Sequence, residues 1–217
     1  MAINKTYAVF GLGRYGFAVA KELVNSGAEV LAVDINQEKV DDYSEFLPIC
    51  KCADVTDEAV IKNLGISNVD VVIIAMASNL EASVMAVTLC KEVGVETVIV
   101  KCSNEMHGKI LTRVGADRVV IPETESGARL AKNLLSAGFI DVIELSKGVS
   151  MFEIEVKPEW VGKNLLELKL RKKYSINVVA LIDNDTVCTD IDPELPLTQT
   201  MKLIVIANTQ KLDKLRK

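Results

Sequence analysis

The sequence has few of the residues on which most enzymes depend, with one histidine and five cysteines among its 217 residues. His107 stands at the start of a predicted helix, where a surface or capping role is the simpler interpretation. None of the four tyrosines is followed four residues later by lysine, so the catalytic pair of short-chain dehydrogenases is missing. The G-x-x-x-x-G-K-[ST] loop of nucleotide hydrolases and metal-ligand spacings are missing as well. The sequence therefore predicts a protein that is not an enzyme.

Long apolar runs and an excess of basic charge are also missing. No run approaches the ~20 apolar residues that a membrane-spanning helix requires, and the first five residues do not form a signal-peptide core. The formal net charge of −5 argues against a nucleic-acid partner. We expect a soluble, intracellular protein that keeps its cysteines reduced, mostly in the core: Cys50, Cys52, Cys90, Cys102 and Cys188.

The clearest motif occupies residues 6–34. An apolar run at 7–10 leads into G-x-G-x-x-G, formed by Gly11, Gly13 and Gly16, and a helical pattern follows over 17–25. A second apolar run ends in Asp34, as in a dinucleotide-binding βαβ unit. Gly13 would let a pyrophosphate approach the backbone, and the helix N-terminus attracts phosphates. Asp34 can accept hydrogen bonds from ribose hydroxyls and would repel the 2′-phosphate of NADP, so an adenine nucleotide other than NADP is predicted.

Apolar runs alternate with helical patterns up to residue 121. They predict an α/β fold, a Rossmann-like doubly wound parallel sheet of order 3-2-1-4-5-6, with the ligand at the carboxyl ends of strands one and four. Thr56 is expected to cap one of these helices. After residue 148 alternating patterns predict a small α+β lobe with a helix at 161–168 and a hairpin turn at 183–185. The predicted domains are a nucleotide-binding domain (1–124), a crossover helix and hinge (125–148) and a C-terminal regulatory lobe (149–217).

Three charged residues stand at the predicted phosphate end of the site. Arg14 lies inside the glycine-rich loop, either as a solvated side chain or as a guanidinium that binds outer phosphates. Glu123, after strand six, either complements the dipole of the following helix or has a functional role as a cation ligand or a sensor of the phosphate state. Lys101 ends strand five at the same edge of the sheet and could neutralise phosphates or Glu123.

Several segments together resemble the RCK domain, the regulator of potassium conductance. They are residues 9–16, 32–36, 54–58, 100–101, 115–118 and 121–123, with 165–168 and 171–174 resembling the family's C-terminal lobe. Within that family the chain is similar to the cytosolic gating subunits of Ktr- and Trk-type bacterial potassium uptake systems. Two segments depart from the family pattern. Residues 52–54 lack a common glycine before the aspartate, and 200–201 replace a Gly-Asp turn.

The resemblance implies a cytoplasmic regulatory subunit at the inner face of the cell membrane. Its partner would be a membrane-embedded potassium-translocating subunit, and its homodimers would assemble into an octameric ring. Arg14 favours ATP or ADP as the ligand, with NAD(H) as the alternative. The resemblance also implies Mg²⁺ or another cation near Glu123.

The resemblance further implies two sets of binding residues. The set for cyclic di-AMP in the C-terminal lobe comprises Leu165, Leu166, Arg171 and Asn177. The set for the nucleotide comprises Gly11, Gly13, Arg14, Tyr15, Gly16, Asp34, Ile35, Asn36, Asp54, Val55, Ala75, Lys101 and Glu123.

Two other functions stay open at this point. An NAD-dependent oxidoreductase would need a catalytic pair and a substrate pocket beside the nucleotide, and the sequence offers neither. A nucleotide-sensing repressor would need a basic DNA-reading element, which the charge of −5 and the absence of a basic helical pattern oppose.

Overall fold

The computed structural model describes residues 5–135, 139–146, 148–184 and 186–208. The chain divides into two compact units, Met1–Glu123 and Thr124–Lys217. Within the described ranges, no helix combines the length and the apolar character that crossing a membrane requires.

The first unit alternates strands and helices from its beginning to its end. Its six strands form one parallel sheet of order β3-β2-β1-β4-β5-β6, which confirms the predicted Rossmann-like topology. The elements in chain order are β1 (Thr6–Phe10), α1 (Arg14–Asn25), β2 (Glu29–Asp34), α2 (Gln37–Tyr43), β3 (Ile49–Cys52), α3 (Glu58–Asn63), β4 (Val71–Ile74), α4 (Leu80–Glu92), β5 (Thr97–Lys101), α5 (Glu105–Val114) and β6 (Arg118–Val120). Helix α6 (Pro122–Leu135) begins at the end of this unit and belongs mostly to the second.

This sheet buries apolar side chains on both faces, as parallel sheets do. On one face Phe10 and Ile74 pack with side chains of α3, α4 and α5, including Leu111. On the other face the neighbouring Val9 packs with Leu12 and with side chains of α1. Each fully buried side chain of this size contributes about 1.5–3 kcal/mol, so the two layers hold the loops at the strand ends in place.

Two helix starts differ from the sequence-based expectation. Helix α1 begins at Arg14, directly after the glycine-rich loop, rather than at residue 17. The N-cap of α3 is Asp57, whose carboxylate accepts from the N–H of Ala59 at 2.7 Å, so the expectation for Thr56 is wrong. The reason is local, because α3 begins at Glu58, one residue later than a Thr56 cap would require, and the Thr56 hydroxyl instead donates to the Asp54 carboxylate at 2.7 Å.

The second unit contains a five-stranded antiparallel sheet of order β10-β9-β11-β8-β7. Phe152, Trp160 and Leu203 lie at the centre of its core. The elements are β7 (Phe139–Ser146), β8 (Val149–Glu155), α7 (Leu165–Leu168), α8 (Leu170–Tyr174), β9 (Ile176–Asp183), β10 (Thr186–Cys188) and β11 (Lys202–Asn208). A small α+β lobe was predicted, and the antiparallel sheet with its two short helices confirms it.

In this unit one predicted helix starts later than expected, and two other predicted features lie partly outside the described residues. The helix expected over 161–168 starts only at Leu165, because Asn164 forms a capping box with Glu167 there. The hairpin between β9 and β10 is present, with Asn184 at a φ of 46° and residue 185 outside the described part. Of the predicted crossover helix and hinge at 125–148, residues 136–138 and 147 lie outside the described part, and α6 and β7 cover most of the rest.

The expectation of core cysteines holds for only part of the set. Cys90 and Cys102 are buried, and burial raises the pKa of the Cys90 thiol to about 12. Cys50 is half-buried, whereas Cys52 and Cys188 are exposed. The two exposed thiols lie on β3 and β10, which are edge strands of their sheets and are therefore less covered than central strands.

Candidate nucleotide-binding site

The glycine-rich loop joins β1 to α1, and its three glycines serve different purposes. Gly11 has a φ of +91°, and a Cβ there would lie 2.8 Å from the Cγ atom of Met76. A Cβ on Gly16 would lie 1.9 Å from the carbonyl oxygen of Gly11, so α1 packs directly on the loop. These two glycines are required by the protein itself.

Gly13 is different, because the folded chain does not require glycine there. Its φ of −73° suits any residue, and no described atom beyond its sequence neighbours lies within 4 Å of an added Cβ. Gly13 is the N-cap of α1, and no described side chain caps this helix or places an acid in its first turn. The N–H groups at the start of α1 thus have no described side-chain cap, and they lie at the positive end of the helix dipole, which is the environment that a phosphate prefers.

Asp34 lies at the carboxyl end of β2 and is nearly buried. Its Oδ2 atom accepts from the N–H of Leu12 at 2.6 Å and from Lys39 Nζ at 3.1 Å, while Oδ1 accepts from the N–H of Asn36 at 2.9 Å. Burial raises the pKa of this carboxyl, but the bonds from Asn36, Leu12 and Lys39 outweigh burial and leave the pKa below its usual value. Asp34 is therefore ionised at neutral pH, and it ties the glycine-rich loop to β2.

A cleft of about 390 Å³, here called the sheet-edge cleft, opens beside these residues. Ile35 presents an apolar side chain there that is 69% exposed, beside Asp54, whose carboxylate is held by the N–H and hydroxyl of Thr56. The lining residues are Gly11, Gly13, Val33, Asp34, Ile35, Lys39, Ala53, Asp54, Val55, Thr56, Ala75, Met76, Ser78, Asn79 and Ala82. The cleft combines apolar walls, an ionised acceptor and an open loop, which suits a nucleotide.

The cleft brings together only part of the predicted set. Seven of the predicted residues line it, namely Gly11, Gly13, Asp34, Ile35, Asp54, Val55 and Ala75. Gly16 is buried behind the loop, and Asn36 caps α2 by accepting from the N–H of Glu38 at 2.8 Å. Neither Gly16 nor Asn36 lines the cleft.

The remaining predicted residues form a separate charged group at the same edge of the sheet. Lys101 Nζ lies 2.7 Å from Glu123 Oε1 and 5.6 Å from the centre of the Tyr15 ring. The bond from Lys101, with a smaller effect of the Arg14 charge, lowers the pKa of Glu123. The described residues contain no cluster of three or more His, Cys, Asp or Glu side chains that could hold a metal ion by itself. A cation beside Glu123 would therefore need ligands from elsewhere.

Sequence reasoning missed eight residues of the cleft lining, among them Val33 in β2 and Ala53 directly after β3. Met76, Ser78 and Asn79 follow β4, and Ala82 lies in the first turn of α4. The rule that ligands bind at the carboxyl ends of strands one and four could have identified them. Thr56 and Lys39 carry no such signal, since their place in the lining depends on tertiary packing.

The second unit has a cleft of its own, here called the lobe cleft, of about 410 Å³. It contains all four residues predicted for cyclic di-AMP. Its lining consists of Leu165, Leu166, Lys169, Leu170, Arg171, Lys172, Ile176, Asn177 and Val178. Basic and apolar side chains thus alternate around one depression, and the Leu166 side chain is 54% exposed.

Comparison with known proteins identifies both units. Residues 7–122 match the TrkA-N domain, and residues 149–217 match the TrkA-C domain. The chain is 42% identical over 179 residues to the Ktr system potassium uptake protein C of Bacillus subtilis strain 168, covering 82% of this chain and 81% of that protein.

Solved structures agree on the fold. The crystal structure of the GsuK RCK domain has a TM-score of 0.64 at 18% identity, covering 97% of this chain and 46% of that chain. A GsuK channel bound to NAD has the same TM-score and identity, with 98% of this chain and 39% of that chain covered. The chain thus spans less than half of the GsuK chains. The likeness confirms the predicted RCK resemblance at the level of fold. The two domain matches, together with the Bacillus relative, show that the chain belongs to the TrkA-N and TrkA-C family of potassium uptake proteins.

Proposed function

We propose that this chain is a nucleotide-binding regulatory subunit of a membrane potassium uptake system. The observation that carries the proposal is the sheet-edge cleft, where an open Gly13 and an ionised Asp34 flank a free helix N-terminus in a chain of this family. The family is that of the Ktr potassium uptake proteins, one of which is 42% identical to this chain. The chain acts on the cytoplasmic side, through a membrane-embedded partner that carries the ion.

The ligand of the sheet-edge cleft is ATP or ADP. The phosphates bind at Gly13 and the first turn of α1, where N–H groups and the helix dipole favour anions. The ribose binds at Asp34, and the adenine lies against Ile35 and Val55 on the apolar walls. Arg14 is exposed at the phosphate end and supplies a charge for outer phosphates, which a dinucleotide such as NAD(H) lacks at that position.

NAD(H) is the second candidate for the same cleft. A GsuK channel with this fold carries NAD, and nothing in the lining at Asp34 distinguishes the adenosine half of NAD from that of ATP. The candidates differ at the phosphate end, where Arg14 and Glu123 lie. Mg²⁺ or another cation beside Glu123 would accompany ATP, and it would have to displace Lys101 from the carboxylate.

Regulation follows from a difference in affinity between two conformations of the assembly. A nucleotide shifts such an equilibrium only by as much as its affinities for the two states differ. The inner phosphates are common to ATP and ADP, so Arg14 is the residue that tells them apart. Homodimers that assemble into an octameric ring under the membrane partner would transmit this difference to the ion path.

The lobe cleft is proposed as a second ligand site, for cyclic di-AMP at the two-fold axis of a dimer. Arg171 and Asn177 offer hydrogen-bond donors for phosphate and base, and Leu165 and Leu166 offer an apolar surface for the adenines. A symmetric dianion suits a depression whose basic residues a second copy would repeat.

The experiment that tests the proposal is calorimetry of the full chain with ATP, ADP and NADH in turn, combined with the mass of the native assembly. Binding of at least one nucleotide, abolished or weakened in Asp34→Ala, is the expected result. A folded protein that binds none of the three at millimolar concentration refutes the regulatory proposal. Oxidation of NADH in the presence of small carbonyl substrates would favour the oxidoreductase alternative instead.

A further inference from the structure

Lys39 lies in the sheet-edge cleft and holds the carboxylate to which the ribose is proposed to bind. Its Nζ atom is 3.1 Å from Asp34 Oδ2, and its side chain is 42% exposed while that of Asp34 is 5% exposed. Lys39 belongs to α2, five residues after Asp34, and it lines the cleft together with Ile35 and Asp54. The family resemblance assigned no role to this residue.

The acceptor capacity of Asp34 limits what a ribose can gain there. A carboxylate has about four lone-pair positions for hydrogen bonds. Leu12 and Lys39 use two on Oδ2, and Asn36 uses one on Oδ1. Among contacts of the described residues, one position therefore stays open, whereas a ribose diol that donates both hydroxyls requires two.

We propose that Lys39 competes with one ribose hydroxyl for Asp34 and thereby sets how strongly the site discriminates between ribo- and deoxyribonucleotides. This inference rests on the proposed nucleotide function. One hydroxyl takes the open position on Oδ1, and the second binds only by replacing the ammonium group. The second hydroxyl thus exchanges one charge-assisted hydrogen bond for another, so its net contribution in the native protein is small.

Removing the ammonium group changes this balance in one direction. In Lys39→Met both hydroxyls find free positions, and the second one contributes a full bond to a charged acceptor, worth about tenfold or more in affinity. Loss of a positive charge from the cleft also weakens the binding of every nucleotide, but it weakens the binding of ATP and of its deoxy analogues equally. The informative quantity is therefore the ratio of dissociation constants, deoxy analogue over ATP.

The test measures this ratio for 2′-deoxy-ATP and for 3′-deoxy-ATP by calorimetry in four proteins. They are the full-length wild type, Lys39→Met, Lys39→Arg, which keeps a donor to Asp34, and Lys62→Met, which removes an exposed lysine outside the cleft. We expect at least one ratio to rise about tenfold in Lys39→Met and both to stay at the wild-type value in Lys39→Arg and Lys62→Met.

Each alternative outcome is informative. Wild-type protein that binds no ATP refutes the proposed function itself. Wild-type protein that binds ATP, with both ratios unchanged in Lys39→Met, overturns the role of Lys39 and leaves the nucleotide function standing. An equal rise in Lys62→Met would assign the effect to net charge and would overturn the inference as well.

Discussion

Replacing Asp34 by alanine removes the group that anchors the glycine-rich loop and that is proposed to accept the ribose hydroxyls. The buried N–H of Leu12 then loses its partner at 2.6 Å, while the N–H of Asn36 lies at the surface where water replaces the carboxylate. A buried donor left without a partner costs about 1–3 kcal/mol, so we expect the free energy of unfolding to fall by that amount. Loss of the half-exposed ion pair with Lys39 adds little to this decrease in the free energy of unfolding.

The same substitution weakens nucleotide binding. Loss of the charged acceptor is expected to cost about 1–3 kcal/mol, roughly 5- to 150-fold, for ATP, ADP and NADH alike, since all three share the adenosine ribose. Calorimetry gives the affinities and urea denaturation the stability. Asp41→Ala is the matched control, because Asp41 is an exposed acid of α2 whose carboxylate accepts a hydrogen bond from Gln37 of the same helix. Unchanged affinity for all three nucleotides in a folded Asp34→Ala protein would refute the reasoning.

The effect on stability has a defined pH dependence. Because the pKa of Asp34 is lowered in the folded state, its contribution is fully present above the unfolded value of about 3.9 and is lost as pH falls through the folded-state pKa. The free energies of unfolding of wild type and Asp34→Ala should therefore converge as the Asp34 carboxyl becomes protonated in both the folded and the unfolded state. A difference that is constant from pH 7 to pH 2 would contradict the assignment of the stabilisation to the ionised carboxylate.

Three further predictions test the phosphate end and the lobe cleft. Arg14→Ala should weaken the binding of ATP more than that of ADP, by a difference of about 1–3 kcal/mol in calorimetry. An equal loss of affinity for both nucleotides would exclude the sensor role. Gly13→Ala should leave thermal unfolding nearly unchanged but weaken the binding of both nucleotides, because its Cβ meets no described atom and would enter the space proposed for the phosphates. Gly16→Ala, which collides with the loop, should lower stability by about 1–3 kcal/mol or more. Equal stability of the two glycine variants would contradict the geometry. Arg171→Ala should weaken the binding of cyclic di-AMP by about 1.5–3 kcal/mol while leaving ATP binding intact. A wild-type protein without affinity for cyclic di-AMP would refute the proposed second site.

Prediction succeeded where a short segment contains the whole physical reason. The βαβ unit was recognisable because its turn, helix and acid follow one another within residues 6–34, and each has a local cause. Gly11 needs a positive φ, and the four buried residues of β4 can only belong to a covered strand. The alternating pattern after residue 148 similarly identified half-buried antiparallel strands.

Prediction failed where neighbours compete for the same group. Thr56 looked like a helix cap, but its hydroxyl binds Asp54, and Asp57 caps the helix instead. The cysteine pattern did not reveal that β3 and β10 are edge strands, so Cys52 and Cys188 are exposed. The first outcome depends on side-chain hydrogen bonds between residues two apart in sequence, and the second depends on the strand order of the folded sheets. Apolar periodicity carries no information about either.

The amino-acid sequence by itself determined the alternation of six strands with helices, the position of the glycine-rich loop and the acid at the end of β2, because these follow from local backbone requirements and apolar periodicity. Only the tertiary structure decided what surrounds them. Lys101 and Glu123 are 22 residues apart in sequence but 2.7 Å apart in space, since β5 and β6 are neighbours and end at the same edge of the sheet. Lys39 reaches Asp34 because α2 packs beside β2, so the proposed competition for the carboxylate would arise from packing and not from any motif.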